Sequence, residues 1–216
     1  PLYSSAASDV YKRQVLSGLG TQEQQRQAMD SVKEYLDTDL GIKKIHPAMT
    51  TDYPTKEENL TCYNKGCGEN GSVFCHANTW AIIAECMLGR PENAWKYYHQ
   101  LLPMIAQKTA GAERYKAEPY VYSSNIFGPE SDKFGLANVS WLTGTAAWMY
   151  LAATQYLLGV RPTWDGLEID PCLPEQLLPA KVTRVFRGCR YEITITKNQK
   201  LLLPHVDGRK QLTVTV

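Results

Sequence analysis

A helical toroid followed by a small β-sheet unit is the fold the sequence predicts, and three observations predict it. Apolar residues recur at helical spacing up to about residue 160, the texture then turns to strand-like alternation, and the predicted helices are joined alternately by short turns and long irregular loops. With 216 residues, 44% hydrophobic and 21% charged, the chain has the apolar material for a real core, as one large domain or one domain and part of another.

The first fourteen residues, PLYSSAASDVYKRQ, have neither the apolar run of a signal peptide nor a periodic pattern, and DVYKRQ resembles a translated sequencing adaptor. Residues 1–14 are therefore set aside as non-native, residues 15–160 are read as part of a helical toroid, and residues 161–216 as a β-rich region. On this reading the chain is the C-terminal piece of a longer protein.

From Thr21 the pattern predicts a helix. Thr21 suits the cap, Glu23 and Gln24 the first turn, and Ala28, Met29, Val32, Tyr35 and Leu36 share a face until Gly41. Residues 42–72, with Pro47, Pro54 and repeated Gly and Asn, read as a long functional loop. A second helix is expected from Asn78 or Thr79 to Gly89, and a third from Pro91 with Trp95, Tyr98, Leu101 and Leu102 on one face. After Pro103 the sequence reads as loop through EPYVYSSNIFGPESDKFGLANVSW, and then as a helix from about Gly144 to Leu158, stopped by Gly159. Beyond Pro162, VTRVFRGCRYEITIT alternates, and Asp207-Gly208 is a hairpin signal before a last alternating run.

Composition excludes several functions. The formal net charge is +1 with no block of like charge, which argues against nucleic acid or an anionic membrane as partner. No apolar run approaches the roughly 20 residues of a membrane span. The six cysteines form no CxxC pair, fit no common zinc pattern and read as reduced, in a cytoplasmic protein. Thirteen tyrosines and five tryptophans supply rings with an apolar face and a polar edge, suited both to a core and to sugar or aromatic ligands.

The stretch ENGSVFCHANTW sets a lone histidine, His76, between a carboxamide-rich turn and an apolar run. On these residues alone His76 suits a metal site, the partner of a thiol nucleophile at Cys75, an anion-binding corner or plain packing. The thiol reading is the weakest, because a buried cysteine is inert unless its pKa is lowered.

Four stretches, ENGSVFCHANTWAIIAE, EPYVYSSNIFGPE, WLTGTAAWMYLAATQYLLGVRP and GLEIDPCLP, resemble in order the C-terminal part of the cellobiose phosphorylase family, glycoside hydrolase family 94. The resemblance implies an (α/α)6 barrel with β-structure packed on it, and inverting phosphorolysis: a β-linked glucosyl disaccharide or oligosaccharide plus inorganic phosphate gives α-glucose 1-phosphate and the shortened acceptor. Phosphate is a co-substrate, no metal or other cofactor is implied, and the full-length protein is expected to be a homodimer.

An inverting glycosidase needs one carboxyl to protonate the leaving oxygen and a second to activate water. Phosphate is already a nucleophile, so a phosphorylase needs an anion-binding corner where the second carboxylate would repel. The resemblance assigns that corner to His76, Thr143 and Gly144, where a helix start offers free N–H groups. It assigns the acceptor side to Tyr63, Glu69 and Asn70, with Glu118, Tyr120 and Ser124 of EPYVYSS near the site. Two positions depart from the family pattern: Gly68 stands at a lysine position and Ser124 where cellobiose-type members often carry glutamine. Cellobiose itself is thereby in doubt, and laminaribiose-like or cellodextrin substrates remain open. The general-acid aspartate of the family lies upstream of Val15, so the piece alone is expected to be inactive. The competing readings are a hydrolase on the same toroid, which would need a carboxylate base, and a non-catalytic sugar-binding module.

Overall fold

The computed structural model describes residues 7–49, 63–205 and 211–216, and of residues 7–10 the backbone only. Among these residues the helices come first and most of the strands after them. They run α1 (Ala7–Leu16), α2 (Gln22–Tyr35), β1 (Asp37–Thr38), β2 (Gly41–Ile42), β3 (Val73–Phe74), α3 (Cys75–Met87), α4 (Pro91–Leu101), α5 (Pro103–Ala110), α6 (Ala112–Tyr115), β4 (Ser123–Ile126), β5 (Ala137–Ser140) and α7 (Thr145–Leu151). A π-helical stretch, Ala152–Leu157, continues α7 before β6 (Val160–Pro162), β7 (Gly166–Ile169), β8 (Ala180–Phe186), β9 (Cys189–Ile195), β10 (Leu201–Pro204) and β11 (Gln211–Thr215).

The centre of the helical part is α3. A helix apolar all round has to be enclosed, and Ala77, Ala81, Ile82, Ile83 and Ala84 are all within 1% of complete burial. Helices α1, α2, α4, α7 and the π-helical stretch all touch it. The sequence reading starts this helix at Asn78 or Thr79, whereas it begins at Cys75. Asn78 is not a cap. Its buried side chain donates to the carbonyls of Ile42 and Phe74 and accepts from the Ile42 N–H at 2.6 Å, stapling α3 to β2.

Helix α2 follows its sequence signals at the start: Thr21 and Gln24 form a reciprocal capping box. It ends at Tyr35 rather than near Gly41, because residues 37–42 turn back as the β1–β2 hairpin. Pro91 opens α4 as expected, and Pro103, after which the sequence reads as loop, instead occupies the first turn of α5. Of the stretch set aside at the N-terminus, residues 7–14 lie in α1, where Tyr11 packs on the same core as Val15 and Leu16. The loop expected before residue 141 holds two strands. These were illegible because β3, β4 and β5 are two to four residues long and gain their stability from one another as an antiparallel sheet, with Phe74 opposite Asn125 and Asn125 opposite Asn138.

In the β-rich region, β6, β7 and β10 form one antiparallel sheet, and β8, β9 and β11 another in which β11 runs parallel to β9. Asp207 and Gly208 lie outside the described residues, and the strands on either side of them belong to different sheets rather than to one hairpin. Arg161 ties this region to the π-helical stretch: it donates to Glu168 at 2.6 Å, to Asp170 at 2.7 Å and to the Gln155 carbonyl at 3.1 Å.

A carboxylate sits inside the helical core. Glu85 of α3 is fully buried and 3.8 Å from Arg90, which is drawn away to Asp30 at 2.6 Å. Burial pushes the Glu85 carboxyl up to about 7 against the pull of Arg90. A carboxyl raised in the folded state contributes stability below its ordinary pKa and loses it as pH rises through the folded value. Between pH 5 and pH 8 the chain should therefore lose stability relative to its Glu85→Gln variant, by on the order of 2 kcal/mol. Denaturant unfolding at both pH values measures this, and a difference that does not change with pH would contradict it.

Candidate functional site

Two motifs far apart in sequence meet at one point. His76 lies in the first turn of α3, and Gly144 immediately precedes α7. A Cβ placed on Gly144 would stand 3.0 Å from His76 Cε1 and 3.2 Å from Nδ1, so the imidazole rests against a backbone that only glycine leaves bare. The backbone at Gly144 is ordinary, with φ near −76°, and what glycine provides here is room rather than an unusual conformation. Aromatic rings hold the imidazole from other sides: Trp80 at 5.4 Å, Phe74 at 5.9 Å and Trp148 at 6.0 Å between centroids.

Thr143 directly precedes Gly144 in the chain. Its Oγ1 accepts the Thr145 N–H at 3.2 Å and lies 2.7 Å from the buried Thr145 hydroxyl. If Thr145 donates in that pair, the Thr143 proton is left to point outward. The segment leading in is strained. Val139 and Trp141 have φ of 54° and 70°, in the region that non-glycine residues avoid and that costs on the order of 1 kcal/mol or more for a β-branched residue. Trp141 Nε1 donates to Glu118 Oε1 at 3.1 Å, which fixes the strap and holds the Glu118 carboxyl below its ordinary range.

Beside the corner is a cavity of about 480 Å³. Phe74 lines it and also contacts His76, so the two features share a wall. Tyr63, Glu69 and Ser124 line it too, as the sequence reading expects, and they are joined by Lys44, Asn125, Phe127 and Asn138, which that reading missed. Phe74 sits two residues before His76 in the same motif, a signal that was available. Asn125 and Asn138 face one another across β4 and β5, so they were hidden with those strands.

The remaining assigned residues are elsewhere. Asn70 is buried, accepts the Met49 N–H at 2.7 Å and donates to the carbonyls of Met49 and Tyr63. These bonds use its carboxamide to hold the 63–72 loop, and it does not line the cavity. Glu118 is engaged by Trp141 as described, and Tyr120 is 75% exposed outside the cavity lining.

Cys75, beside His76, is buried, lies 3.7 Å from the Ser123 hydroxyl, and is pushed up to about 11 by burial. It is a protonated thiol at neutral pH and no nucleophile. Cys67, Cys75, Cys86, Cys172 and Cys189 are free, and Cys62 lies outside the described residues. Among the described residues no cluster of His, Cys, Asp and Glu could hold a metal ion, and no helix is long and apolar enough to cross a membrane.

Residues 7–159 match the model of the glycosyl hydrolase 94 superfamily catalytic domain. The chain is 41% identical over 182 residues to the N,N'-diacetylchitobiose phosphorylase of Vibrio proteolyticus, covering 84% of this chain and 22% of the relative. It is 36% identical to the solabiose phosphorylase of Paenibacillus borealis over 93% of this chain and 25% of that protein. A third relative, the 3-O-beta-D-glucopyranosyl-beta-D-glucuronide phosphorylase of the same organism, is 31% identical over 84% of this chain and 23% of its own length. The chain thus spans about a quarter of the length of these relatives.

The hydrogen bonds of Asn70 imply a stability role separable from that of its neighbour. Asn70→Ala removes three hydrogen bonds of a buried carboxamide, to the half-buried Met49 N–H and to the Met49 and Tyr63 carbonyls, and should cost about 2 kcal/mol in denaturant unfolding, whereas Glu69→Gln, at an exposed rim position, should cost less than about 0.5 kcal/mol. Equal costs would contradict this division.

Proposed function

The chain belongs to the glycosyl hydrolase 94 superfamily, and on that premise we propose that it forms part of an inverting glycoside phosphorylase, in which His76, Thr143 and Gly144 bind phosphate and the neighbouring cavity binds the acceptor sugar. The observation that carries this reading is the contact of the His76 ring with Gly144, which joins two separate motifs at the wall of a sugar-sized cavity. In this reading the helices belong to an (α/α)6 barrel over residues 15–160, with the β-rich unit of 161–216 packed on it.

The chemistry follows from the groups present. Phosphate is an oxyanion with several acceptor atoms, and the corner offers one imidazole N–H, the Thr143 hydroxyl and backbone N–H at the start of α7. These donors orient one phosphate oxygen toward the anomeric carbon of the bound glucosyl unit. That oxygen attacks as the glycosidic bond breaks, the bond's electron pair goes to the leaving oxygen, and a carboxylic acid protonates it. Inversion of a β-linkage gives the α-sugar 1-phosphate.

Among the described residues, neither Glu69 nor Glu118 suits the acid or a water-activating base, since Glu69 pairs with Lys44 and Glu118 with Trp141. The acid is proposed to come from a part of the protein outside this chain, and the chain by itself is expected to turn nothing over. Relatives named as phosphorylases of N,N'-diacetylchitobiose, solabiose and a 3-O-beta-D-glucopyranosyl-beta-D-glucuronide support a disaccharide as substrate.

The test uses the complete protein carrying this chain with a panel of β-linked disaccharides, N,N'-diacetylchitobiose, cellobiose and laminaribiose among them. Sugar 1-phosphate should be released only when phosphate is present, and His76→Ala should lower kcat/KM for phosphate by about a hundredfold, the scale of losing one oriented donor to a reacting oxyanion. Cleavage in phosphate-free buffer, or phosphorolysis untouched by His76→Ala, would contradict the proposal.

A further inference from the structure

We infer that Lys44 is a specificity-determining residue of the cavity, and that together with Glu69 it selects an uncharged, hydroxyl-bearing sugar ring over an acidic one. The inference rests on the cavity being a sugar site, as proposed above, and adds a residue from a different part of the chain.

The backbone explains how Lys44 arrives there. Lys43 is bridged to Val73, and at the bend that follows the Lys44 N–H bonds to the Ser72 carbonyl at 2.9 Å. Lys43 turns inward, 6% exposed, to an ion pair with Glu130 at 2.6 Å. Lys44 turns the other way, to the face that carries Phe74, and its ammonium stands 4.6 Å from the centroid of that ring.

Position 68 contributes no side chain to this cavity. Gly68 has φ of 47°, and a Cβ there would stand 2.6 Å from Tyr63 Cδ1 and 2.7 Å from Cε1. The Tyr63 ring occupies the space over Gly68, so a side chain at 68 and this placement of Tyr63 exclude one another. Lys44 reaches the same cavity from across the loop and pairs there with Glu69.

The pairing sets the selectivity. An ammonium has three donors and a carboxylate two oxygens, so one ion-pair contact leaves both partners with hydrogen-bonding capacity. A hydroxyl both donates and accepts, and can satisfy the two together. A carboxylate can only accept, and would meet the negative charge of Glu69 at close range. Asn125 Oδ1, buried and without a hydrogen-bond partner among the described residues, adds a further acceptor in the cavity suited to a hydroxyl donor.

The test compares Lys44→Met, Lys44→Arg and Glu69→Gln in the complete protein carrying this chain. Acceptor KM is read in the synthetic direction with α-glucose 1-phosphate as donor, and binding of glucose, N-acetylglucosamine and glucuronate is read by calorimetric titration. Lys44→Met keeps the aliphatic stem over Phe74, and should raise the KM and Kd of the neutral sugars about tenfold while phosphate KM changes less than about twofold. Lys44→Arg should recover most of that loss, and Glu69→Gln should shift preference toward glucuronate. Unchanged neutral-sugar binding in Lys44→Met, or glucuronate already preferred by the wild type, would overturn the inference. Should Lys44→Met not fold, the glucuronate shift in Glu69→Gln decides. If the wild type shows no phosphate-dependent turnover, the phosphorylase reading fails while the titrations still judge Lys44; wild-type protein that binds none of the three sugars overturns the inference as well.

Discussion

The close approach of the His76 ring to the bare Cα of Gly144 is the constraint on which the rest of the site depends. An imidazole can lie there only if position 144 has no side chain, and it stays there because Phe74, Trp80 and Trp148 surround it with rings. The contact ties the first turn of α3 to the entry of α7, directly after Thr143. Phe74 then carries this geometry to the neighbouring cavity, since one of its faces is cavity wall and its ring is also a neighbour of the imidazole.

What keeps His76 in register is the burial of α3. A first turn whose backbone is fixed by Asn78 on β2, and whose following turns are enclosed by other helices, cannot shift without opening the core. The other half of the corner is held differently, by a strap with two residues at positive φ and by the bond from Trp141 to Glu118. One side of the site is thus rigid by packing and the other by a strained, pinned loop, a combination common where backbone groups must be presented to a ligand.

Local signals in the sequence were legible where the local residues decide the outcome. Thr21 with Gln24 marks the start of α2, Pro91 marks that of α4, and the two short motifs that carry His76 and Gly144 are ones the structure brings into contact. Legibility ends where a residue answers to a distant partner. Asn78 looks like a cap and is a tertiary staple; Asn70 looks like a sugar ligand and holds a loop; strands of two to four residues exist only by pairing with one another. Lys44 was invisible for the same reason, since no spacing within residues 42–72 says that it crosses to Glu69 while Tyr63 covers Gly68. The widening of α7 into a π-helical stretch at Ala152 likewise has no counterpart in the apolar pattern of GTAAWMYLAATQYLL.

The central claim is that the two motifs form one phosphate site rather than two independent structural features. A double-mutant cycle between His76→Ala and Gly144→Ala, read as the KM for phosphate in the complete protein, tests it most directly. Groups in contact within one site lose their effect together, so the double variant should be little worse than either single one, with a coupling of about 1 kcal/mol or more. Strictly additive effects, or no effect of either change on phosphate, would contradict the account.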